Sequence, residues 1–514
     1  MTAAATGRRH GSLVLLLSLG LAGCATSAIE LAPERPDRPW VPATADNGDI
    51  VPGKAGTAPS AGGYVLPPQR GLGYVPPATA IDTRKAYRLG ELIDIAESSN
   101  PTTRIAWNEA RRTALAAGIA ESTFLPRISA GAIGGIQTSD GRASAPGRDA
   151  ASNETLSGSV SAVSLEWLLF DFGQRAAVVD AAKQLSLISN FGFTAAHQQV
   201  IYDVSLAFYG HAAARSRVAA AKQSLKNAES VQAAVEDRYR HQIGTVTEVA
   251  NVRQLTAQAR LVVVQASGSV EDSYLALVTA MGISPLTRMK IADISGRRLS
   301  PAMAAPVQSV ISAALARRPD IQSAYAAQKA SLANVRVAEA DFLPKVFVSG
   351  NGTYNSGSLT VSALPAVGQL PPTVNINGNR LGGTFLAGVS VPLYDGGMRL
   401  AKLAQAQAEV GTADARMAKL RNDAVRQIVV ADNALRTGLS TYAASQALTT
   451  AAQTSFDASL AAYRDGIGSI TELTLAQTQL LQAKNASTDA YSLSLSAAAT
   501  LALSMGALGT TPRP

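Results

Sequence analysis

Two halves of this chain repeat one another, and that duplication dictates most of what it can fold into. Phe124-Leu125-Pro126-Arg127 returns 218 residues later as Phe342-Leu343-Pro344-Lys345. Leu169-Phe170-Asp171, Gly173 and Arg175 return as Leu393-Tyr394-Asp395, Gly397 and Arg399, now 224 residues on. The same 224 links Tyr239-Arg240 and Ile243-Gly244-Thr245 to Tyr463-Arg464 and Ile467-Gly468-Ser469. The extra residues of the second half fall between Pro344 and Leu393, where a loop tolerates insertion.

Within each half the hydrophobic period changes in a set order. Helical pattern over 101–124 and 319–342 stops at the next proline, so Pro126 and Pro344 mark helix-to-strand junctions. Alternation of period two predicts strands at 127–137, 155–169, 344–354 and 383–393, with Gly-, Ser-, Asn- and Pro-rich loops at 138–153 and 355–380. Asp171 and Asp395, followed by glycines, read as turn and helix-start residues. Proline-free helical pattern then fills 175–239 and 399–463, each about 100 Å long at ~1.5 Å per residue. Leu403, Ala406, Val410, Ala413, Met417, Leu420 and Ala424 step by three and four, a seam of period about 3.5. Each long helix is expected to turn at Gly244 or Gly468, read as the left-handed residue after a helix end, and to return as far as Met281 or Met505. Thr245 with Glu248, and Ser469 with Glu472, have the spacing of capping boxes.

Four strands of about ten residues can cross a bilayer when tilted, but the smallest closed membrane barrel has about eight. One chain therefore cannot close a barrel. Either the strands form a small soluble sheet on a periplasmic coiled-coil scaffold, or several protomers contribute four each. The N-terminus favours the second. Arg8, Arg9 and His10 precede an apolar run over 13–21, too short to span a membrane and suited to an export signal. The run ends in Leu21-Ala22-Gly23-Cys24, which resembles the bacterial lipobox, and Cys24 is the only cysteine. Residues 1–23 thus read as a lipoprotein signal peptide and 24–86 as a lipidated, Pro-rich extended strap. The first repeat occupies 87–285, a linker 286–306 and the second repeat 307–508.

Composition removes other functions. One cysteine excludes intrachain disulfides and thiolate clusters, and the four histidines lack ligand spacing, so neither metal nor cofactor is expected. The net charge of +8 is spread without a basic block, which argues against nucleic acid. No Ser–His–carboxylate set or acid pair is suggested by spacing, so no enzyme is expected.

Helix, Phe-Leu-Pro, strand pair, Leu-Phe-Asp-Phe-Gly-Gln-Arg, long helix and Tyr-Arg-x-x-Ile-Gly-Thr turn, in that order, resemble the TolC family of outer-membrane efflux and secretion channels over about 87–508. The lipobox is similar to that of its lipoprotein branch. The resemblance implies a mainly α fold with membrane β, a homotrimer whose shared barrel stands above a helical periplasmic tunnel. It implies an outer membrane lipid setting in a Gram-negative bacterium. It also implies a periplasmic adaptor and an inner-membrane pump or ABC exporter as partners, for efflux of small toxic compounds or for type I protein secretion. Tyr239, Arg240, Gly244, Thr245, Tyr463, Arg464, Gly468 and Ser469 would then lie at the adaptor-facing tip. Glu248 and Glu472 would start the return helices and, in a trimer, ring the mouth and favour cations. Trp167, Phe170, Phe172 and Tyr394 would form an interfacial belt or pack the joint between barrel and tunnel.

Overall fold

The computed structural model describes residues 31–33, 36–37, 40–47, 49–53, 64–66, 68–69, 72–145, 148–294, 299–301, 310–361, 374–377 and 380–509. The signal segment and Cys24 lie outside them. The chain divides into two compact units, 1–78 and 79–514. In the first, β1 (Ala43–Thr44) and β2 (Ile50–Val51) make a small antiparallel hairpin, its turn held by the Asp49 amide donating to Asn47 Oδ1 at 3.1 Å. Tyr64 and Tyr74 are exposed.

The second unit runs β3 (Ala86–Tyr87), α1 (Leu89–Ser99), α2 (Pro101–Ser122), β4 (Arg127–Ala145), β5 (Arg148–Phe170), α3 (Gln174–Arg240), α4 (Val246–Ala280), β6 (Lys290–Ile291), α5 (Ile311–Arg317), α6 (Pro319–Ala340), β7 (Lys345–Val361), β8 (Val374–Asn377), β9 (Arg380–Ser390), α7 (Met398–Arg464) and α8 (Ile470–Ser504). The duplication is carried into length: α3 and α7 have 67 residues each, and their return helices α4 and α8 have 35. Along the upper half of α7 the expected seam is the protected stripe. Ala406, Met417 and Ala424 are buried, Leu403, Val410, Ala413 and Leu420 half-buried, and the positions between 403 and 420 otherwise exposed. Small residues at those steps let neighbouring helices approach closely. Helix α6 packs between α3 and α7, whereas its counterpart α2 packs on α3 and leaves Ile105, Leu115 and Ile119 exposed.

Midway along the helices, Leu92 of α1, Val204 and Phe208 of α3, and Leu277 and Met281 of the α4 end form one core. The parallel pair β3–β6 closes it. The stretch read as a linker is therefore partly structural. Met289 and Ile291 enter the core, and the Met289 amide donates to the Tyr274 hydroxyl at 2.8 Å.

Strands β4, β5, β7 and β9 form an antiparallel sheet in that order, with β8 on the far end of β7. Register puts Ile128, Leu165 and Phe385, with Val163, Tyr354 and Leu381, on one face, and Ser129, Ser164, Asn351 and Thr384 on the other. One face thus suits lipid and the other water. The ladder also continues past the expected strand ends. Thr138 pairs with Thr155 and the pairing persists to Ala145 with Arg148, while Ser358 to Val361 pair with β8. Of the regions read as loops, 138–145, 148–153, 355–361 and 374–377 are strands. Backbone groups alone satisfy such a ladder, so it needs no alternation of apolar side chains once it leaves the bilayer. Among the described residues of the protomer β4 and β9 remain free edges, and no closed barrel forms.

Candidate functional site: the hairpin tips

Where α3 turns into α4 and α7 into α8, the local chemistry of the two repeats is almost the same. Thr245 Oγ1 accepts from the Glu248 amide at 3.2 Å while the Thr245 amide donates to Glu248 Oε2 at 3.0 Å. Ser469 and Glu472 do likewise at 3.1 and 3.4 Å. Both expected capping boxes therefore form, and each satisfies two amides that a helix start leaves open. Upstream, the Ile243 amide donates to Arg238 O and the Ile467 amide to Ala462 O, each at 3.0 Å, the six-to-one bond that ends a helix through a left-handed residue.

That residue is not the expected one. Gln242, with φ 64°, and Gly466, with φ 83°, are left-handed, whereas Gly244 and Gly468 are not. Gly244 and Gly468 are glycine for lack of room. A Cβ on Gly468 would stand 3.0 Å from Ala462 C and Cβ and from Tyr463 N, and one on Gly244 would stand 3.1 Å from Glu248 Oε2. A left-handed glutamine costs about 1 kcal/mol that glycine does not pay. Gln242→Gly is expected to stabilise the first tip by roughly that amount, seen as about fivefold slower exchange of the amides at the end of α3.

The two tips share a core in which Val231, Val235, Val249 and Val252 meet Phe456, Tyr463 and Leu473. Tyr463 is 2 % exposed. Arg238 explains this: its Nη1 donates to Tyr463 O at 2.7 Å and its guanidinium lies 4.8 Å from the ring centre. Burial holds the Tyr463 hydroxyl above its ordinary pKa, and the Glu248 carboxylate pushes the same way. Tyr239, the counterpart of Tyr463, is 43 % exposed. Arg240 pairs with Asp237 at 2.9 Å, and Arg464 is exposed. Glu248 and Glu472 each stand on their own return helix. Ile243, Val246 and Ile467 are 67, 66 and 85 % exposed, so each turn presents apolar side chains to water, as an interaction surface does. The duplication does not mark Arg238 in the sequence, because its repeat counterpart is Ala462.

At the other end of the long helices, the strand-to-helix joint is a clasp. Asp171 Oδ2 accepts from the Arg175 amide at 2.9 Å and from Arg175 Nε at 2.8 Å. The same guanidinium donates to Thr123 O and Leu169 O and covers the Phe124 ring. Burial raises the Asp171 carboxyl, the Arg175 amide and guanidinium outweigh it, and the result lies below the ordinary value. Asp395 and Arg399 repeat the clasp at 2.7 Å, with Arg399 donating to Pro392 O. Strands β4 and β7 begin one residue after Pro126 and Pro344. Trp167 is tied to this joint by donating to Phe124 O at 2.9 Å, whereas Tyr394, 88 % exposed, is free to meet a membrane interface. Among the described residues no three His, Cys, Asp or Glu side chains group to hold a metal, and no helix is long and apolar enough to cross a membrane.

A family model described as outer membrane efflux protein matches residues 92–283 and 310–507, one segment per repeat. Protein CyaE of Bordetella pertussis is 26 % identical over 411 residues, 80 % of this chain and 81 % of that protein. Outer membrane protein OprJ of Pseudomonas aeruginosa is 26 % identical over 326 residues, 63 % of this chain and 64 % of that protein. Among solved structures, the outer membrane protein VceC of Vibrio cholerae superimposes with a TM-score of 0.66 at 18 % identity, over 81 % of this chain and 96 % of that one. The last likeness is one of fold.

Proposed function

Because the chain belongs to the outer membrane efflux protein family, we propose that it works as a homotrimeric exit duct in a tripartite efflux system. It receives small toxic compounds from an inner-membrane pump through a periplasmic adaptor. The free sheet edges support this reading best. Leu165 of β5 faces Gly350 of β7. Moving each by its repeat offset puts Val389 of β9 opposite Ala132 of β4 in the next protomer. The same offsets turn the pair Ile128–Leu165 into Val346–Val389, which is the observed β7–β9 pairing. A head-to-tail joint of this kind generates a ring. Helix α2 would likewise lie on α7 of a neighbour, as α6 does within the chain, and cover its exposed isoleucines.

The register is testable. Directly opposed residues have Cβ atoms about 5 Å apart, so Ala132→Cys with Val389→Cys is expected to give covalent dimers and trimers on oxidation, resolved on a denaturing gel. Each single variant should stay monomeric. Absence of the ladder in membranes would sink the arrangement.

The tip carries the adaptor contact in this reading, through Tyr239, Arg240 and Arg464 and the turns at Thr245 and Ser469. The tunnel is narrowest at rest near Gly244 and Gly468. Cys24 carries the lipid: Cys24→Ser should abolish acyl labelling while the protein stays in the outer membrane, because barrel closure supplies most membrane affinity. Labelling that persists rules Cys24 out. A deletion strain separates efflux from type I secretion: lost tolerance to dyes and antibiotics marks the first, loss of one exported protein the second.

A further inference from the structure

Midway along the helices a cavity of about 800 Å³ lies between α3, α7 and the point where α8 ends and α6 begins. A volume of that order suits one drug-sized molecule. Leu206, Val430 and Leu493 line its half nearer the hairpin tips. Val430 and Leu493 are 55 and 54 % exposed, so large apolar side chains border the cavity without being used up in packing. Arg318 stands in the other half with its side chain 8 % exposed. Its Nε and Nη2 donate to Asp320 at 3.0 and 2.6 Å, Nη2 also to Gln427 Oε1 at 2.8 Å, and Nη1 to Ser504 O at 2.7 Å. The second guanidinium on the cavity, Arg426, pairs with Asp423 at 3.6 Å. Both cations have a carboxylate partner, so this half offers hydrogen-bonding groups rather than a free charge.

The cavity faces away from the outer packing of the helices. Two residues along a helix turn by about 200°. Leu206 stands two residues from Val204, which packs on α1, and Val430 two from Ile428, which packs on α5. Leu493 stands two from Tyr491, whose hydroxyl donates to Ile294 O at 2.7 Å. On all three helices the apolar lining therefore points opposite to the layer made by α1, α5 and the chain at Ile294. A duct carries such a second layer on its outside, which turns the cavity to the lumen.

The duplication sets this cavity apart. Along α8 the lining includes Leu493, Ser496, Thr500 and Leu503, whereas the counterparts 224 residues earlier on α4 are Ser269, Asp272, Ala276 and Thr279. Arg318, Asp320 and Gln427 correspond to Asn100, Thr102 and Asp203. The equivalent seam between protomers would be small and polar, with two carboxylates that an apolar molecule would strip of water at a cost. A trimer would thus carry three apolar niches rather than six.

We propose that this cavity is a binding site for an uncharged, largely apolar small molecule with one hydrogen-bonding end. Its body lies against Leu206, Val430 and Leu493, and its polar end points toward Gln427. This rests on the exit-duct reading and deepens it: the duct holds cargo of that class halfway, instead of only passing it. Buried apolar area supplies the affinity.

The neutral dye phenylnaphthylamine, whose fluorescence rises in apolar surroundings, tests this on the full chain in lipid nanodiscs, with empty discs subtracted. Binding should saturate at one dye per chain. Val430→Gln and Leu493→Gln, both at exposed positions, should each weaken it about tenfold. Leu448→Gln, 54 % exposed on α7 and outside the cavity, should leave it unchanged. In planar bilayers the dye should reduce the single-channel current of the parent and lose that effect in Leu493→Gln. Binding that does not saturate, or that keeps its full strength in both variants, overturns the proposal, as does a current the dye leaves untouched. Failure of the exit-duct reading looks different: the Ala132→Cys, Val389→Cys ladder and all channel current are missing, while saturable dye binding lost in the two variants still supports the cavity.

Discussion

Arg175→Ala is expected to make the detergent-solubilised protein lose its helical signal at a much lower temperature, at a cost of about 3–5 kcal/mol. The side chains of Arg175 and Asp171 are 10 and 5 % exposed, so removing the cation strands a buried carboxylate and two carbonyls, Thr123 O and Leu169 O, that it now satisfies. Arg399→Ala should cost less, because Asp395 is 21 % exposed and water can replace part of the lost contact. Lys345→Ala, which breaks a pair with Asp341 at 34 and 27 % exposure, serves as the near-neutral control. The effect has a pH signature. The Asp171 carboxyl is held below its unfolded value. Its contribution is therefore complete above about pH 4 and is lost as pH falls through the folded value, so parent and variant should converge in acid. Equal losses for Arg175→Ala and Lys345→Ala would refute the clasp.

Reversing both tip carboxylates, Glu248→Lys with Glu472→Lys, is expected to shift the ion preference of the proposed channel from cations toward anions. The measurement is the reversal potential across a salt gradient. In a trimer each chain supplies two of these groups, and a constriction with low-dielectric walls concentrates their field. Both carboxylates also start a helix, at 3.0 and 3.4 Å from the amides they accept, so the lysine variant carries a capping loss of about 1 kcal/mol per turn. Glu248→Gln with Glu472→Gln separates the two roles, because glutamine keeps the cap and removes the charge. Ion preference unchanged in an assembled lysine trimer would leave these residues as caps alone.

Local and periodic features of this fold were readable in advance. The long helices were expected over 175–239 and 399–463 and span Gln174–Arg240 and Met398–Arg464, because nothing in either stretch competes with helix. The capping boxes were readable because their partners lie three residues apart. What escaped depends on partners distant in the chain. Arg238 acquires its role from Tyr463, 225 residues away. Strand β6 is only two residues long and owes its place to β3. The ladder beyond Thr138 is held by backbone bonds that leave no mark in side-chain period. Gly468 was correctly singled out for the wrong reason: a glycine that avoids a clash and one that adopts a left-handed φ look the same in a string of letters.

The two free edges have a genetic consequence. In the proposed trimer each protomer brings one β4 and one β9, so the ring depends on every member supplying both, and one faulty edge leaves a gap that intact copies cannot mend. A cell making equal amounts of sound and edge-defective chains would retain roughly one complete trimer in eight. Lesions at the sheet edges should therefore behave as dominant, whereas lesions that prevent a chain from folding at all, and so from joining any ring, should be recessive.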